Sequence, residues 1–182
     1  MFYDEDVASL TSIPDNRKFL PSDFYGQMVR DCIICCVDCV VIRANPFKKN
    51  ALECLLVERS DEPAKGLWWL PGGRIFKGET FFAAALRKTK DETGVEGCAS
   101  QVLGVCNTFF PRSSWDIENE KGTQTVNVVV LVELKEGSQI ILDNTSERYR
   151  WLPLDGEAED EDKYVKKQLQ RLEAWNATFG NR

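Results

Sequence analysis

The sequence predicts an α/β protein in which a mixed β-sheet lies between helices. Two observations support this class: apolar runs rich in strand-forming residues recur along the chain, and amphipathic helical patterns interrupt and close the series. The chain has 182 residues, of which 43% are hydrophobic and 29% charged, so it can bury the core of one domain. We therefore expect a short N-terminal arm, residues 1–30, and a single domain over residues 31–182.

The predicted elements follow one another in a regular order. Strands are expected at residues 31–43, 51–59, 99–110, 124–134, 140–142 and 147–152. Helices are expected near residues 22–30, with Ser22 or Asp23 as cap, at 80–93, and at 163–175, where Val165, Leu169 and Leu172 recur at helical spacing. Turn-forming residues fill 44–50, and residues 111–122 predict a polar, mobile loop. Six acidic side chains within residues 155–162 predict a solvated linker or a helix start.

The first predicted strand contains four cysteines and one carboxylate. Alternation along a strand sends Cys32 and Cys36 to one face and Cys35 and Cys39 to the other, which favours small buried hydrophobes over four converging metal ligands. Asp38 differs from them, because a carboxylate within an apolar strand needs a hydrogen-bonding partner or a function. Both a structural and a functional role for Asp38 remain open at this point.

The charge distribution indicates a small anionic ligand. The net charge of −6 argues against a nucleic-acid backbone or an anionic membrane surface as partner, yet residues 59–88 carry six basic and three acidic side chains. Such a basic segment fits a diphosphate, although a chance fluctuation of surface charge is the alternative. An acidic start, the lack of a long apolar run and an odd number of cysteines, seven, predict a cytoplasmic protein.

Residues 72–95 contain the most specific pattern of the chain. A glycine pair precedes a predicted helix that has Glu79 and Thr80 at its start and Gly94 as its C-terminal stop. Arg87 and Asp91 are four residues apart, as are Lys88 and Glu92. This spacing is typical of ordinary ion pairs on a helix surface, but carboxylates beside a glycine-rich loop can also hold a divalent cation.

This stretch resembles the Nudix box at residues 73–95, with Gly73, Glu79, Arg87, Glu92, Gly94 and Val95 in register. The preceding segment, residues 62–74, resembles the nucleotide-sugar branch of the family and in particular the GDP-mannose mannosyl hydrolases. The resemblance implies a Nudix α/β/α sandwich, Mg²⁺ or Mn²⁺ as cofactor, and a homodimer, whereas the residues alone leave the oligomeric state open. Three positions depart from the ordinary box: Lys88 replaces a Glu, Thr89 an apolar residue, and Asp91 the first Glu of the final pair.

The resemblance also implies roles for individual residues. Glu92 is the expected chief metal ligand, with the Gly73 carbonyl beside it and Asp91 or Glu79 as helpers; Glu79 can also be a simple helix-start carboxylate. Arginine binds phosphate in a bidentate way, so Arg74 and then Arg59 are expected to hold the diphosphate and stabilise the leaving group. A surface role for Arg59 stays open. Arg87 either contacts substrate or orients Glu92. Trp68 and Trp69 can pack in the core or offer an aromatic face to the nucleotide base.

The missing histidine is the main difficulty for the chemistry. In the mannosyl hydrolases a histidine on a late strand accepts the proton from water, whereas this chain has no histidine, and the resemblance places Asn127 at the matching position. Because asparagine cannot take up a proton at neutral pH, the candidates for the base are Asp38 and the loop carboxylates Asp116, Glu118 and Glu120. A metal-bound diphosphate is also a good leaving group, which would tolerate a weak base.

Three functions follow from these residues. The favoured one is a Mg²⁺-dependent hydrolase that cuts a nucleoside diphosphate sugar similar to GDP-mannose at the sugar carbon and releases NDP and sugar. The second cuts the diphosphate to give NMP and a sugar phosphate, with Asp91 and Glu92 holding the metal. The third is a Nudix module that binds a nucleotide sugar without turnover, as Lys88 and the missing histidine suggest.

Overall fold

The computed structural model describes residues 19–115, 122–135, 137–154 and 163–179. Within them seven strands form one mixed sheet. The strands are β1 (Ile34–Ala44), β2 (Leu52–Arg59), β3 (Trp68–Trp69), β4 (Gly72–Arg74), β5 (Gly97–Phe110), β6 (Thr123–Leu134) and β7 (Ser146–Pro153). The helices are α1 (Ser22–Asp31), α2 (Phe81–Thr93) and α3 (Lys163–Phe179).

The central strand β1 lies between β6, which runs parallel to it, and antiparallel partners on its other edge. The main path of the sheet is β3-β2-β1-β6-β5, with β7 on β2 and β4 on β1. Residues 36–38 of β1 pair with β4, whereas residues 42–44 pair with β2. One edge of β1 therefore changes partner along its length, and this fork opens the sheet beside Asp38.

Two apolar layers cover the sheet, one on each face. Alternation along β1 sends Val37, Cys39 and Val41 into the cluster that contains Ala84 and Ala85 of helix α2. Val40 and Ile42 point the other way, into a cluster completed by Val165, Leu169 and Leu172 of helix α3. The helices on opposite faces confirm the predicted α/β/α sandwich with a mixed sheet.

Helix α2 begins and ends where the sequence predicts. The Thr80 hydroxyl accepts a hydrogen bond from the Ala83 N–H at 3.0 Å, which satisfies one of the free donors of the first turn. Gly94 adopts φ 70° and caps the C-terminus in the left-handed region, where a side chain would be strained. Both predicted charge pairs form, Arg87 with Asp91 at 3.5 Å and Lys88 with Glu92 at 2.5 Å.

Several local predictions are wrong. Residues 140–142 form no strand, because the Ile141 and Asp143 N–H groups instead bind the Thr93 and Glu92 carbonyls at the end of helix α2. Strands β3 and β4 are too short to show periodicity in the sequence. Helix α1 has Pro21 at its N-cap without a side-chain cap bond, so neither Ser22 nor Asp23 caps it.

The cysteine prediction is half right. Cys39 and Cys54 are buried in the core, as small hydrophobes would be, whereas Cys32 and Cys35 are exposed. Cys32 lies before strand β1, and Cys35 is the second residue of that strand. No helix in the described part of the chain is long and apolar enough to cross a bilayer. The predicted arm before residue 19, most of the 111–122 loop and the acidic segment 155–162 lie outside the described residues.

Candidate active site

A cavity of about 170 Å³ lies at the fork of the sheet. Its walls combine Tyr25 and Val29 of helix α1, the Gly72–Arg74 strand and the aromatic rings of Trp69 and Phe110. Gly72 must be glycine here, since a Cβ atom would lie 2.8 Å from Asp38 Oδ1 and clash with the Val37 carbonyl. Five of the predicted site residues line this one cavity: Asp38, Arg59, Gly73, Arg74 and Asn127.

Asp38 is the buried acid of this cavity, with 4% of its surface exposed. The Tyr164 hydroxyl donates a hydrogen bond to Asp38 Oδ2. Burial raises the pKa of Asp38 to about 6, against the opposing effects of the Tyr164 hydrogen bond and the Arg59 charge. Asp38 is therefore mostly ionised at neutral pH but takes up a proton in mildly acidic solution.

Asn127 and Tyr164 form one hydrogen-bonded chain with Asp38. Asn127 Nδ2 donates to Thr108 Oγ1 at 3.0 Å and to the Tyr164 hydroxyl at 3.3 Å. The Tyr164 ring stacks on Trp69 with centroids 4.9 Å apart, which fixes its direction. The position that the resemblance gives to a histidine thus supplies a hydrogen-bond donor to Tyr164, the residue that contacts Asp38.

Two arginines bring positive charge to the cavity from separate segments. Arg59, at the end of β2, donates from Nε to the Pro63 carbonyl at 2.7 Å, which holds the loop after β2. The Arg74 guanidinium lies over the rings of Tyr25 and Phe76, at 4.5 and 5.0 Å from their centroids. Helix α1, predicted as part of a separate arm, therefore positions a residue of the site.

Strand β6 lines the cavity with alternate polar side chains. Thr123, Thr125 and Asn127 all face it, and each is at most 8% exposed. Thr123 Oγ1, Thr125 Oγ1 and Asn127 Oδ1 have no hydrogen-bond partner among the described residues. Buried oxygens without a partner are costly, so a ligand that supplies hydroxyl or N–H groups would stabilise them.

The carboxylates of the box helix are held by basic side chains and backbone groups. Glu79 accepts from Arg87 Nε at 2.5 Å and from the Phe76 N–H at 2.8 Å, while Arg87 Nη2 also donates to the Arg74 carbonyl at 3.0 Å. Glu92 Oε2 accepts the Gly72 N–H at 3.0 Å. Arg87 therefore joins the start of helix α2 to strand β4 and makes its contact with Glu79, not with Glu92.

Comparison with known proteins assigns the family. Residues 36–172, three quarters of the chain, match the NUDIX domain. The chain belongs to the NUDIX family.

Several relatives share the Nudix sequence over part of their length. A low-salt glycan biosynthesis protein, Agl8, of Haloferax volcanii is 32% identical over 99 residues, which cover 54% of this chain and 58% of Agl8. Nudix hydrolase 10 of Arabidopsis thaliana is 34% identical over 80 residues, 42% of this chain and 26% of that protein. The chain thus matches little more than half of the first relative and about a quarter of the second.

Solved structures agree with the Nudix fold. An Ap4A hydrolase binary complex from C. elegans superposes with a TM-score of 0.61 and 19% identity, over 81% of this chain and all of that one. The NUDIX domain of Shewanella oneidensis NrtR, complexed with ADP ribose, superposes with a TM-score of 0.55 and 21% identity. This match covers 93% of this chain and 99% of that one. At such identities the likeness shows the shared fold.

The Nudix box of this chain does not present a preassembled site for a divalent ion. Both oxygens of Glu92 are engaged, one by Lys88 and one by Gly72, and Glu79 is bound to Arg87. The Asp91 side chain is 55% exposed and pairs with Arg87. Across the described ranges no three His, Cys, Asp or Glu side chains could hold a metal ion together. Of the predicted metal ligands, Glu92 lies beside the glycine turn that contains Gly73, whereas Glu79 and Asp91 pair with Arg87.

Only one of the two predicted tryptophans lines the cavity, and sequence reasoning missed two tyrosines. Trp68 lies away from the cavity, with the Arg150 guanidinium 4.4 Å from its ring centroid, while Trp69 is 5% exposed and lines the cavity. The alternation of β3 could have separated the two rings, but a two-residue strand gives no period. Tyr25 and Tyr164 reach the site from helices far from the box in sequence. Asp116 lies outside the described residues, and its role stays a prediction.

Proposed function

We propose that the chain is a hydrolase of nucleoside diphosphate sugars that attacks the sugar carbon and releases NDP and free sugar. The observation that carries this proposal is one cavity in which a buried carboxyl group, Asp38, lies with two arginines, Arg59 and Arg74. GDP-mannose is the substrate that the resemblance favours. A nucleotide-derived ligand is supported by the structure with the same fold that holds ADP ribose, and a link to sugars by the relative named as a glycan biosynthesis protein.

The arginines suit the leaving group. A diphosphate that departs from the sugar carbon gains negative charge, and guanidinium groups stabilise such charge with paired N–H donors. Arg74 is preorganised by Tyr25 and Phe76, and Arg59 by the Pro63 carbonyl. Their approach from strands β4 and β2 lets them hold the diphosphate from two sides of the fork.

Asp38 suits the proton transfer that the absent histidine would perform. A base works best when its pKa lies near the working pH, and burial raises the pKa of Asp38 to about 6. The Tyr164 hydroxyl occupies Oδ2, which leaves Oδ1 toward Gly72 and the cavity. In this mechanism Asp38 Oδ1 accepts a proton from the water that attacks the anomeric carbon. Asp116 is the alternative base that the sequence offers.

The polar face of β6 suits a sugar. Thr123, Thr125 and Asn127 present neutral oxygens, which match sugar hydroxyls better than phosphates. A neighbouring cavity of about 330 Å³ shares Trp69 and Phe110 with the first and adds Phe109, so it offers aromatic faces to a base. This layout supports one orientation of the ligand. The diphosphate lies at the arginines, the sugar over Asp38 and strand β6, and the nucleotide base against the aromatic rings.

The remaining expectations stand as proposals beside this function. Mg²⁺ or Mn²⁺ is what the Nudix resemblance implies, although the described carboxylates do not form a ready ion site. A homodimer and a cytoplasmic location are further expectations from the sequence. The division between an arm, residues 1–30, and a domain, residues 31–182, is also a proposal. In it the arm contributes Tyr25 and Val29 to the cavity wall.

A second candidate is a module that binds the nucleotide sugar without turnover. The ion pair of Lys88 with Glu92 and the lack of a histidine favour it. Attack on phosphorus, the remaining candidate, receives less support, because the Asp91 side chain is half exposed and pairs with Arg87.

Product analysis separates the candidates. The protein is incubated with GDP-mannose, GDP-glucose or ADP-ribose, each with Mg²⁺, with Mn²⁺ and with EDTA, and the products are separated by ion-exchange chromatography. We expect GDP and free sugar, and a loss of roughly 10²–10⁴-fold in rate for Asp38→Asn. If the products are NMP and a sugar phosphate, the proposed reaction is wrong and the chain cleaves the diphosphate. Tight binding without any product would establish the binding module.

A further inference from the structure

The position of Lys88 is the most unusual feature of this Nudix box. Its ammonium lies 2.5 Å from Glu92 Oε1, and the two side chains are only 19% and 8% exposed. A Cβ atom built on Gly73 would lie 3.0 Å from Lys88 Cε and 3.3 Å from Nζ. The lysine chain therefore crosses the glycine turn and places a positive charge between that turn and the buried carboxylate.

This charge satisfies Glu92 without an added ion. Burial raises the pKa of Glu92, and the charge and hydrogen bond of Lys88 act in the opposite direction. A divalent ion on Oε1 would have to displace the ammonium and would then lie against a cation that is itself mostly buried. Because like charges at close range repel, the structure favours the lysine over an ion at this carboxylate.

The ammonium lies next to the cavity wall. Gly72, Gly73 and Arg74 line the cavity, and the positive charge of Lys88 lowers the pKa of Cys36, another lining residue, against the dominant effect of burial. An ammonium has three N–H donors, so Lys88 can keep Glu92 and still contact a phosphate oxygen. Arg59 and Arg74 line the cavity, and Lys88 adds a third positive charge behind the Gly73 part of its wall.

We infer that Lys88 is a built-in cation that takes the place of a divalent ion at Glu92, so that this chain binds a diphosphate without metal. The inference rests on the proposed function only in taking a nucleoside diphosphate as the ligand. It requires no turnover, and a binding measurement can test it directly.

Calorimetric titration of the full chain with GDP, in EDTA and in millimolar Mg²⁺, is the test. We expect dissociation constants that agree within about twofold under the two conditions. Lys88→Met keeps an unbranched side chain of nearly the same length but removes the charge, and should weaken binding in EDTA by roughly tenfold or more. Lys88→Arg should retain binding in EDTA. Lys90→Met, two residues away on the exposed side of the helix and paired with Glu96, is the matched control and should bind as the wild type does.

Three results would overturn the inference: binding of GDP only when Mg²⁺ is present, unchanged binding by a folded Lys88→Met in EDTA, or no binding under either condition. If Lys88→Met does not fold, the unaltered chain is titrated with Mg²⁺ alone. The inference predicts that Glu92 binds no Mg²⁺, so no heat of binding is expected, and a saturable heat would contradict it. The outcome is independent of the reaction: GDP bound in EDTA without turnover of GDP-mannose would sink the proposed function alone. If GDP-mannose is hydrolysed but GDP binds only in the presence of Mg²⁺, only this inference is wrong.

Discussion

Asp38 shows how one residue joins stability to chemistry. It stands in a strand whose neighbours Val37 and Cys39 are fully buried in the opposite face of the sheet. Its carboxyl group has lost most of its water and keeps one strong donor, the Tyr164 hydroxyl. A carboxylate in such surroundings is destabilised relative to water, which is why its pKa rises and why it can act as a base near neutral pH.

Asp38→Asn should therefore stabilise the fold at high pH. The pKa of Asp38 in the folded state, about 6, lies above the ordinary aspartate value of 3.8, so the folded state binds the proton more tightly and loses stability as pH rises between these values. Asparagine carries no such charge and keeps an oxygen for Tyr164. We expect its free energy of unfolding to exceed that of the wild type by about 1–3 kcal/mol at pH 8.

Urea unfolding at pH 8 and below pH 4 measures this difference, which should shrink at the lower pH because Asp38 is then protonated in both states. A variant less stable than the wild type at pH 8 would show that the ionised carboxylate is a structural necessity.

Tyr164→Phe tests the hydrogen-bonded chain. The Tyr164 hydroxyl lowers the pKa of Asp38, so its removal should raise that pKa further. Since the ionised form is the base, the acid limb of the kcat/KM profile should move to higher pH, with a rate about threefold to tenfold lower at pH 6. The phenylalanine ring keeps the stack on Trp69. An unshifted limb would assign the base to a group other than Asp38.

At the scale of elements, the parts with a clear period could be predicted and the parts fixed by tertiary contacts could not. Helix α2 carries its own signals, Thr80 at the start and Gly94 at the end, and strands β1, β2, β5 and β6 carry enough apolar residues to be recognised. Strand β4 exists because it pairs with residues 36–38 of β1, a contact that its own sequence does not encode. Residues 140–142 fail as a strand because their N–H groups bind the carbonyl end of helix α2.

The contact between Arg87 and Glu79 holds helix α2 to strand β4 and gives a prediction at this scale. Glu79 is 4% exposed and Arg87 18%, so removal of either partner leaves a buried charge. We expect Arg87→Met to lower the free energy of unfolding by about 2–4 kcal/mol, with Glu79→Gln similar and the double variant less than additive. Lys90→Met, which breaks the exposed pair with Glu96, serves as control and should change stability little. Additive losses would mean that the two residues act separately.

At the scale of the whole molecule, the sequence predicted the layers and several cavity residues, but not the residues that distant helices add to the cavity. Alternation in β1 predicted two buried faces, and the two apolar clusters occupy them. The site depends on the fork of β1, on helix α1 and on helix α3, whose Tyr164 is 126 residues from Asp38 in sequence. Box residues such as Glu92 could be recognised from spacing, whereas Tyr25 and Tyr164 needed the assembled fold.

The charge of the molecule also makes a prediction. The chain carries a net charge of −6, yet the cavity has Arg59 and Arg74 in its wall, so ligand attraction is local and acts against the field of the whole protein. We expect the dissociation constant for GDP to rise by about tenfold between about 0.05 and about 0.5 M NaCl, because salt screens exposed phosphate contacts. Calorimetry at matched pH measures it, with Arg74→Met as the variant that should reduce the slope. A salt-independent constant would exclude the arginines as phosphate contacts.

The central claim is that water attacks the sugar carbon, and the position of an oxygen label tests it most directly. GDP-mannose is hydrolysed in ¹⁸O-water and both products are weighed by mass spectrometry. The account predicts that the label appears in the free sugar and that GDP remains unlabelled. Label in a phosphate product would contradict it and would show that the water attacks phosphorus.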